Sequence, residues 1–378
     1  MQEAILEALS KVIDPELRIA LTELDMVGAI SISPDGIADV EIKLTITGCP
    51  AARRIESESK QAIEKVAGIT SANITLSVMT KAERDKLKTK LRGGKPLKHN
   101  PFDKDTLTNI FLIGSGKGGV GKSTITANLA VCLAAQGLRV GLIDADIYGF
   151  SIPGQLGITD KPTRVDELIL PPVAHGVKVI SIGMFIEGNT PVAWRGPMLH
   201  RAIEQFLSDV FWADLDILLV DLPPGTGDIA ITLGQLLPTA KTIVVTTPQI
   251  SASEVAERSG AVGLQTGQAI FGVIENMSYL ETGGTRMELF GSGGGQLVAE
   301  HLSELSGTKV PLLGQIPISI PLREGSDTGN PLLGQVGNDP AAEEISAIAK
   351  LIAGAGRDLA GRRPVSYTHL TLPTNREV

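Results

Sequence analysis

The sequence predicts an α/β fold: a mostly parallel sheet with helices on both faces, preceded by a small α+β domain. After residue 107, short β-rich runs alternate with helical segments, an order that is typical of parallel sheets. These runs are apolar without alternation, as strands buried on both faces are. They comprise Ile110–Ile113, Val140–Ile143, Val177–Ile182, Ile217–Val220, Thr242–Thr246, Ile270–Ile274 and Val310–Leu313. Before residue 81, one strand instead alternates apolar and polar residues, so only one of its faces is buried.

Residues 1–80 are predicted to form the small domain, with the order α-β-β-α-β. Its first helix carries a single apolar stripe and ends at Asp14-Pro15. The turn over 34–36, Pro-Asp-Gly, marks a hairpin. The predicted elements are a helix over 1–13, strands over Val27–Ser33, Val40–Ile46 and Asn73–Met79, and a helix over 51–66.

Composition supports this class and excludes others. The chain is 43% hydrophobic but only 3% aromatic, and it contains 42 glycines, which is typical of an α/β enzyme built on aliphatic residues. Its net charge of -8 argues against binding nucleic acid over the whole surface. No apolar run approaches the roughly 20 residues that span a bilayer, and Met1–Glu3 begins an amphipathic helix rather than a signal peptide. We therefore expect a cytoplasmic protein without membrane or nucleic-acid partners.

Two segments are expected to lie outside the folded domains. Residues 81–107 are rich in Lys and Arg and contain Gly93-Gly94 and Pro96, which predicts a solvated basic linker. A docking patch for an acidic partner is the alternative. Residues 365–378 resemble the translation of a sequencing adapter, and a flexible tail is the alternative. We expect neither to contribute to a core.

A phosphate-binding loop follows the first apolar strand. Its residues are Gly114, Ser115, Gly116, Lys117, Gly118, Gly119, Val120, Gly121, Lys122, Ser123 and Thr124. The spacing G-x4-G-K-S between a strand and a helix is that of a P-loop, whose backbone N–H groups and helix N-terminus surround phosphates. Lys122 is expected to reach the β- and γ-phosphates of ATP, and Ser123 to ligate Mg²⁺. Residues 108–356 are therefore predicted to form a P-loop NTPase domain.

The same glycines also fit a second kind of nucleotide loop. Gly114, Gly116 and Gly119 match the G-x-G-x-x-G pattern of dinucleotide-binding folds, with Asp144 as the ribose-binding acid. That pattern alone is weak, and Lys122-Ser123 would have no purpose in such a loop. The P-loop interpretation is therefore favoured.

Acidic residues follow two other buried strands. Asp221 ends the strand over 217–221 in the Walker B arrangement and is expected to hold Mg²⁺. The Pro- and Gly-rich loop over 222–228 is a candidate switch that senses the γ-phosphate. Asp146 is our candidate for orienting the attacking water. Asp144 is the alternative holder of a metal-bound water, and helix capping is the alternative role for both.

Lys117 gives the loop a second lysine, and the loop thereby resembles the deviant Walker A motif of the MinD, ParA and nitrogenase iron-protein ATPases. Further stretches are similar to the Mrp-type iron–sulfur cluster carrier ATPases over about residues 108–356. Those stretches are Asp144–Pro153, Asp221–Asp228, Glu275–Tyr279 and Phe290–Gly295. The small domain, with Asp14–Glu16 and Thr47–Pro50, resembles iron–sulfur assembly factors.

This resemblance implies an ATP-hydrolysing carrier that delivers clusters to recipient apoproteins, alongside other assembly proteins. It implies a homodimer in which Lys117 reaches across to the partner's phosphates. With Lys122 and Asp146, Lys117 then completes the catalytic set. It further implies that Asn276 contacts the adenine, with Pro317 in the segment flanking it.

The cysteines depart from the family pattern. Members that hold a bridging cluster have a Cys-x-x-Cys pair where this chain reads Leu280–Thr285, without cysteine or histidine. Only Cys49 and Cys132 are present, too few for a four-thiolate cluster from one chain. Cys132, in mid-helix, is expected to be a buried apolar residue. Cys49 precedes a helix, whose N-terminus favours a thiolate; it is a candidate cluster ligand, with structural filler as the alternative.

Two other functions remain open from the sequence. One is a MinD/ParA-like positioning ATPase, whose dimer would bind membrane or DNA through a basic surface; Ala341–Ala353 is not basic enough for that. The other is a nucleotide-dependent adaptor that binds assembly partners but no metal.

Overall fold

The computed structural model of the protein describes residues 1–46, 49, 51–91, 100–147, 149–186, 196–332 and 339–355. The small domain is a three-stranded sheet covered by helices. Its elements are α1 (Gln2–Leu9), β1 (Val27–Ile32), β2 (Ile37–Leu44), α2 (Ala52–Glu64) and β3 (Ser71–Val78). β2 is central, antiparallel to β1 and parallel to β3. The predicted element order is confirmed, and the alternation of β2 buries one face against α2.

The basic segment begins with a helix, α3 (Lys81–Leu91), where we expected a solvated linker. Glu83 and Thr80 form a capping box: the Glu83 carboxylate accepts from the Thr80 N–H at 2.7 Å, and the Thr80 hydroxyl accepts from the Glu83 N–H at 3.3 Å. Leu87 is buried in the small domain's core. The prediction of a solvated linker is therefore wrong over α3. The capping box and the buried Leu87 stabilise this helix despite its many charged residues. Residues 92–99 and 365–378 lie outside the described residues.

The second domain is built on an eight-stranded sheet. Its strands are β4 (Asn109–Ser115), β5 (Val140–Asp144), β8 (Val173–Ala174), β9 (Val177–Ser181), β10 (Ile217–Asp221), β11 (Lys241–Thr246), β12 (Ala269–Asn276) and β15 (Leu312–Ile316). Two hairpins stand apart from it, β6 (Thr163–Val165) with β7 (Leu168–Leu170), and β13 (Leu280–Thr282) with β14 (Thr285–Met287). The helices are α4 (Lys122–Ala135), α5 (Ile152–Gln155), α6 (Gly196–Ser208), α7 (Asp228–Leu236), α8 (Ile250–Gln265), α9 (Gly294–Ser306), α10 (Ile320–Thr328) and α11 (Pro340–Gly354).

The strand order brings three candidate segments together. The sheet runs β15-β12-β11-β4-β10-β5-β9-β8, and all neighbours are parallel except the edge pair β8 and β9. The predicted parallel sheet with helices packed on it is thereby confirmed. Because β10 lies between β4 and β5, the carboxyl ends of these strands meet at one edge, where ligands of open α/β sheets bind.

The two domains share apolar contacts. The core of the small domain includes Val165, Leu168, Leu170 and Phe211, which belong to the second domain. At the same boundary the Thr163 hydroxyl donates to the Glu16 carboxylate at 3.1 Å. The β6–β7 hairpin, which the sequence analysis missed, therefore docks one domain on the other. Within the part of the chain described, no helix has both the length and the apolarity needed to cross a bilayer.

Candidate nucleotide site

The P-loop leaves β4 and wraps over the N-terminus of α4. Gly119 and Gly121 both have φ of 79°, in the left-handed region that glycine adopts readily. A Cβ on Gly121 would lie 2.3 Å from the Asn276 amide nitrogen, whereas one on Gly119 would meet no atom within 4 Å. The loop thus has an open side at Gly119, and α4 presents its first N–H groups there, as phosphate binding requires.

Lys122 is buried against the Walker B carboxylate. Its Nζ donates to Asp221 Oδ2 at 2.6 Å, with side chains only 6% and 1% exposed. The Ser123 hydroxyl donates to the same oxygen at 2.6 Å, and the Thr126 hydroxyl donates to Asp221 Oδ1 at 2.9 Å. Every one of these side chains comes from the start of α4 or the end of β10. Asp221 is therefore charge-paired with the lysine expected to bind phosphate.

These donors suit Mg²⁺ when a nucleotide supplies the remaining ligands. Mg²⁺ in NTPases is commonly bound by one or two oxygen side chains together with phosphates and water. Ser123 and Asp221 offer such oxygens, within hydrogen-bond distance of each other. No group of three or more His, Cys, Asp or Glu side chains could hold a metal ion anywhere in the described chain. A metal ion at this site would thus depend on the phosphates.

Asp144 lies beside Asp221 on the neighbouring strand and is wholly buried. Its carboxylate accepts from the Ser181 hydroxyl at 3.1 Å and from the Asp146 N–H at 3.2 Å. Burial, assisted by the charge of nearby Asp221, raises the pKa of Asp144 to about 7 against the opposing hydrogen bonds. Asp146 is less buried and accepts from the Gly149 N–H at 2.9 Å. Its water-orienting role stays a prediction.

We expect Asp144→Asn to change how stability depends on pH. The folded pKa of about 7 exceeds the ordinary 3.8, so between these values the folded protein keeps a proton that the unfolded chain has lost. This group therefore favours folding less as the pH rises from about 4 to about 7. In urea unfolding of nucleotide-free, Mg²⁺-free protein, the free energy of unfolding of the variant should rise relative to that of the wild type as the pH increases over this range. Parallel curves would contradict the raised pKa.

Lys117 contacts Gln249, a residue that no sequence motif had singled out. Its Nζ donates to Gln249 Oε1 at 3.0 Å, while its backbone carbonyl accepts from the Ser115 hydroxyl at 3.1 Å. Gln249 directly precedes α8, far from the P-loop in sequence. No motif singled it out, since only the folded sheet brings β11 beside β4. The action of Lys117 across a dimer stays a prediction.

Asn276 and Pro317 come together at the ends of β12 and β15. Asn276 pairs with Ile316 in the sheet, and the buried Pro317 follows directly. The Asn276 amide donates to the Val120 carbonyl at 2.8 Å, so it ties β12 to the P-loop. Adjacent Glu275 is buried and accepts from the Gly295 N–H at 2.6 Å and the Gln315 amide at 2.8 Å. The adenine contact of Asn276 stays a prediction.

The cysteines lie away from this site. Cys49 is 8% exposed, and burial raises its thiol pKa to about 11, assisted by the charges of Glu16 and Asp14. The expectation that the helix N-terminus would favour a thiolate is therefore wrong, because desolvation and two carboxylates outweigh the backbone N–H groups. Cys132 is buried within α4. Leu280–Thr285, where the resemblance implied a cysteine pair, lies in the β13–β14 hairpin.

Comparison with known proteins identifies both domains. Residues 106–353 match the family described as NUBPL iron-transfer P-loop NTPase, and residues 2–76 match the family described as iron–sulfur cluster assembly protein. A Mycobacterium tuberculosis protein named iron–sulfur cluster carrier protein is 53% identical over 363 residues, 96% of this chain and 95% of its own length. A Bacillus subtilis protein of that name is 42% identical over 311 residues, 82% of this chain and 85% of its own.

A solved structure agrees with the fold and with nucleotide binding. The nucleotide-binding protein of Archaeoglobus fulgidus, in complex with ADP, is 37% identical to this chain with a TM-score of 0.52. The match covers 60% of this chain and 89% of that one. The family match spans more than half of the chain, and the carrier proteins match nearly all of it. The chain belongs to the NUBPL-type iron-transfer P-loop NTPases and carries an N-terminal iron–sulfur cluster assembly domain.

Proposed function

We propose that this protein is a cytoplasmic iron–sulfur cluster carrier that binds and hydrolyses ATP as a homodimer and delivers clusters to apoproteins. One observation carries the proposal: a chain similar over almost its whole length to cluster carriers holds Lys122, Ser123 and Asp221 together at a P-loop. The nucleotide-binding relative with ADP supports the same site.

The ion pair between Lys122 and Asp221 suggests how ATP is received. Lys122 is paired with Asp221 at the end of β10, and it would exchange that carboxylate for the β- and γ-phosphate oxygens of ATP. Asp221 and Ser123 would then be the residues that hold Mg²⁺. The metal ion would supply charge neutralisation between the phosphates. The Lys122 ammonium then opposes the charge that accumulates as the bond between the β- and γ-phosphates breaks.

Two further side chains are assigned to this reaction. Asp146 orients the attacking water, and Lys117 of the partner protomer adds a second positive charge. Asn276 contacts the adenine while its link to Val120 couples that contact to the P-loop. Gly225, in the predicted switch loop, donates its N–H to the Ser115 carbonyl at 2.8 Å, so this loop rests directly on the P-loop. A change at the γ-phosphate would reach it by that contact.

Cluster transfer tests the proposal. The protein is incubated anaerobically with iron and sulfide, desalted, and mixed with an apo-ferredoxin whose spectrum reports cluster arrival. We expect transfer that depends on the carrier and changes with ATP. ATP hydrolysis without any iron bound or transferred would overturn the carrier function.

A metal-free adaptor is the second candidate, favoured by the β13–β14 hairpin where cluster-holding relatives place thiols. In the same assay an adaptor would accelerate transfer from a separate loaded scaffold while carrying no iron itself. The positioning ATPase gains no such support. Binding to a membrane would call for a basic amphipathic helix, but α11 contains one basic residue, Lys350, and two acidic residues, Glu343 and Glu344.

As a carrier, the protein is expected to give a labile, substoichiometric cluster on reconstitution, whereas no cluster at all would favour the metal-free adaptor. A homodimer offers two copies of Cys49 as donors, short of the four thiolates that ordinary clusters use, and their raised pKa keeps them protonated at neutral pH. Cys49→Ser should eliminate whatever binds, whereas Cys132→Ser, the matched control inside α4, should not. Iron and sulfide analysis with absorbance spectra measures this. A stable cluster in Cys49→Ser would show the ligand assignment to be wrong.

ATPase activity should survive Cys49→Ser, because Cys49 lies in the small domain.

A further inference from the structure

The lysine that distinguishes this P-loop is held by a side chain of its own chain. Lys117 is half-buried, and its Nζ donates to Gln249 Oε1 at 3.0 Å. The Thr247 hydroxyl donates to the same oxygen at 3.5 Å. Two donors thus converge on one amide oxygen, which fixes the Gln249 carboxamide with its acceptor toward the P-loop.

The position of Gln249 is set by rigid elements. It is the N-cap of α8, and its carbonyl accepts from the Ala252 N–H at 2.9 Å. α8 in turn packs on the P-loop so closely that a Cβ on Gly116 would lie 2.3 Å from the Val255 carbonyl carbon. The separation between Lys117 and Gln249 is therefore a property of the fold rather than of two free surface side chains.

We propose that Gln249 is a holding residue for Lys117: it keeps the lysine on its own protomer and so opposes the ATP-dependent dimer. The consequence for dimerisation rests on the proposed function, while the contact itself does not. A Lys117 ammonium that donates to Gln249 stays with its own protomer, and under this proposal it leaves Gln249 before it engages a partner's phosphates. Holding thus lowers the fraction of protomers competent to pair. Because both protomers of a homodimer must release Lys117, the apparent dimer affinity falls by the square of that fraction.

The strength of the hold can be changed without altering the phosphate loop. Gln249→Ala removes the acceptor, and Gln249→Glu converts a neutral acceptor into an ion-pair partner. A hydrogen bond to a charged group changes an equilibrium by about tenfold or more. Gln265→Glu makes the same charge change at the exposed far end of α8 and is the matched control.

The contact is tested first in nucleotide-free protein. Acylation of Lys117 by an amine-reactive ester is followed by mass spectrometry, with exposed Lys104 as the internal reference. We expect Lys117 to react several-fold faster in Gln249→Ala and more slowly in Gln249→Glu, with Gln265→Glu unchanged. Equal Lys117 reactivity in all of these proteins would overturn the holding contact, whatever the protein's function.

Dimerisation is tested next by sedimentation velocity with ATP and Mg²⁺. Gln249→Ala should tighten the dimer by about a hundredfold, tenfold for each protomer, and Gln249→Glu should weaken it. In a Lys117→Ala background neither substitution should have any effect. Effects that persist without Lys117, or that share one direction, would overturn the regulatory role. Absence of any ATP-dependent dimer in the wild type, with acylation still responding, would overturn that role too. Failure of the wild type to hydrolyse ATP counts against the proposed function instead, because the acylation result stands independently.

Discussion

Lys122→Ala is expected to abolish ATP hydrolysis, with a loss on the order of 10²-fold or more. The ammonium group is the cation placed to stabilise the transferring phosphoryl group, and no other lysine side chain contacts Asp221 within the described residues. The substitution also leaves the Asp221 carboxylate buried without its positive partner, which further disfavours an anionic ligand there. Phosphate release at saturating Mg²⁺ and ATP measures the effect.

Folding of this variant must be separated from its chemistry. Removing one member of a buried ion pair commonly destabilises a protein, so circular dichroism and urea unfolding accompany the assay. Lys104→Ala, which alters an exposed lysine before β4, is the control and should retain full turnover. Normal Mg²⁺-dependent turnover in a folded Lys122→Ala protein would remove the P-loop assignment.

Gly116→Ala is expected to damage both stability and nucleotide binding. The new Cβ would lie 2.3 to 2.5 Å from backbone atoms of Val255 and Ala256, which cannot rotate aside as a side chain would. Overpacking of this kind costs about 1–3 kcal/mol of unfolding free energy, and the relief available is displacement of the P-loop. Urea unfolding and titration with ATP measure the two effects.

Gly118→Ala is the matched control within the same loop. There the nearest atom to an added Cβ is the Pro224 side chain at 4.0 Å, and the backbone is outside the left-handed region. We expect its unfolding free energy to stay within about 0.5 kcal/mol of the wild type. Equal losses from both alanines would mean that the packing of α8 on Gly116 is not the cause.

Much of the fold was predictable because its signals are local. Apolar strands, period-two alternation and the G-x4-G-K-S spacing each reflect neighbours in sequence, and they identified β2, the parallel sheet and the P-loop. The missed helix α3 also had a local signal, the Thr80-x-x-Glu83 capping box, but the surrounding charge concealed it. The β6–β7 hairpin had none, since three of its apolar residues face the other domain and only Ile169 packs into its own.

The site divides in the same way. The proximity of Lys122, Ser123 and Asp221 was predictable, because motif residues at strand ends meet wherever a parallel sheet forms. Gln249 was missed, since its role depends on a contact across 132 positions of sequence. The ionisation of Cys49 was misjudged because local geometry placed it at a helix N-terminus, whereas its burial beside Glu16 and Asp14 is tertiary. Desolvation is a property of the folded interior and leaves no pattern in sequence.

The four apolar residues that the second domain contributes to the small domain's core bear on how the protein loses its structure. The small domain covers these side chains, which are Val165, Leu168, Leu170 and Phe211. Leu87 of α3 lies in the same cluster. Neither domain therefore has a complete hydrophobic core when it is alone. If the domains were separated, each would expose an apolar surface to water and tend to self-associate. The pair should instead melt in one cooperative step, with the assembly domain and the nucleotide domain behaving as a single folding unit.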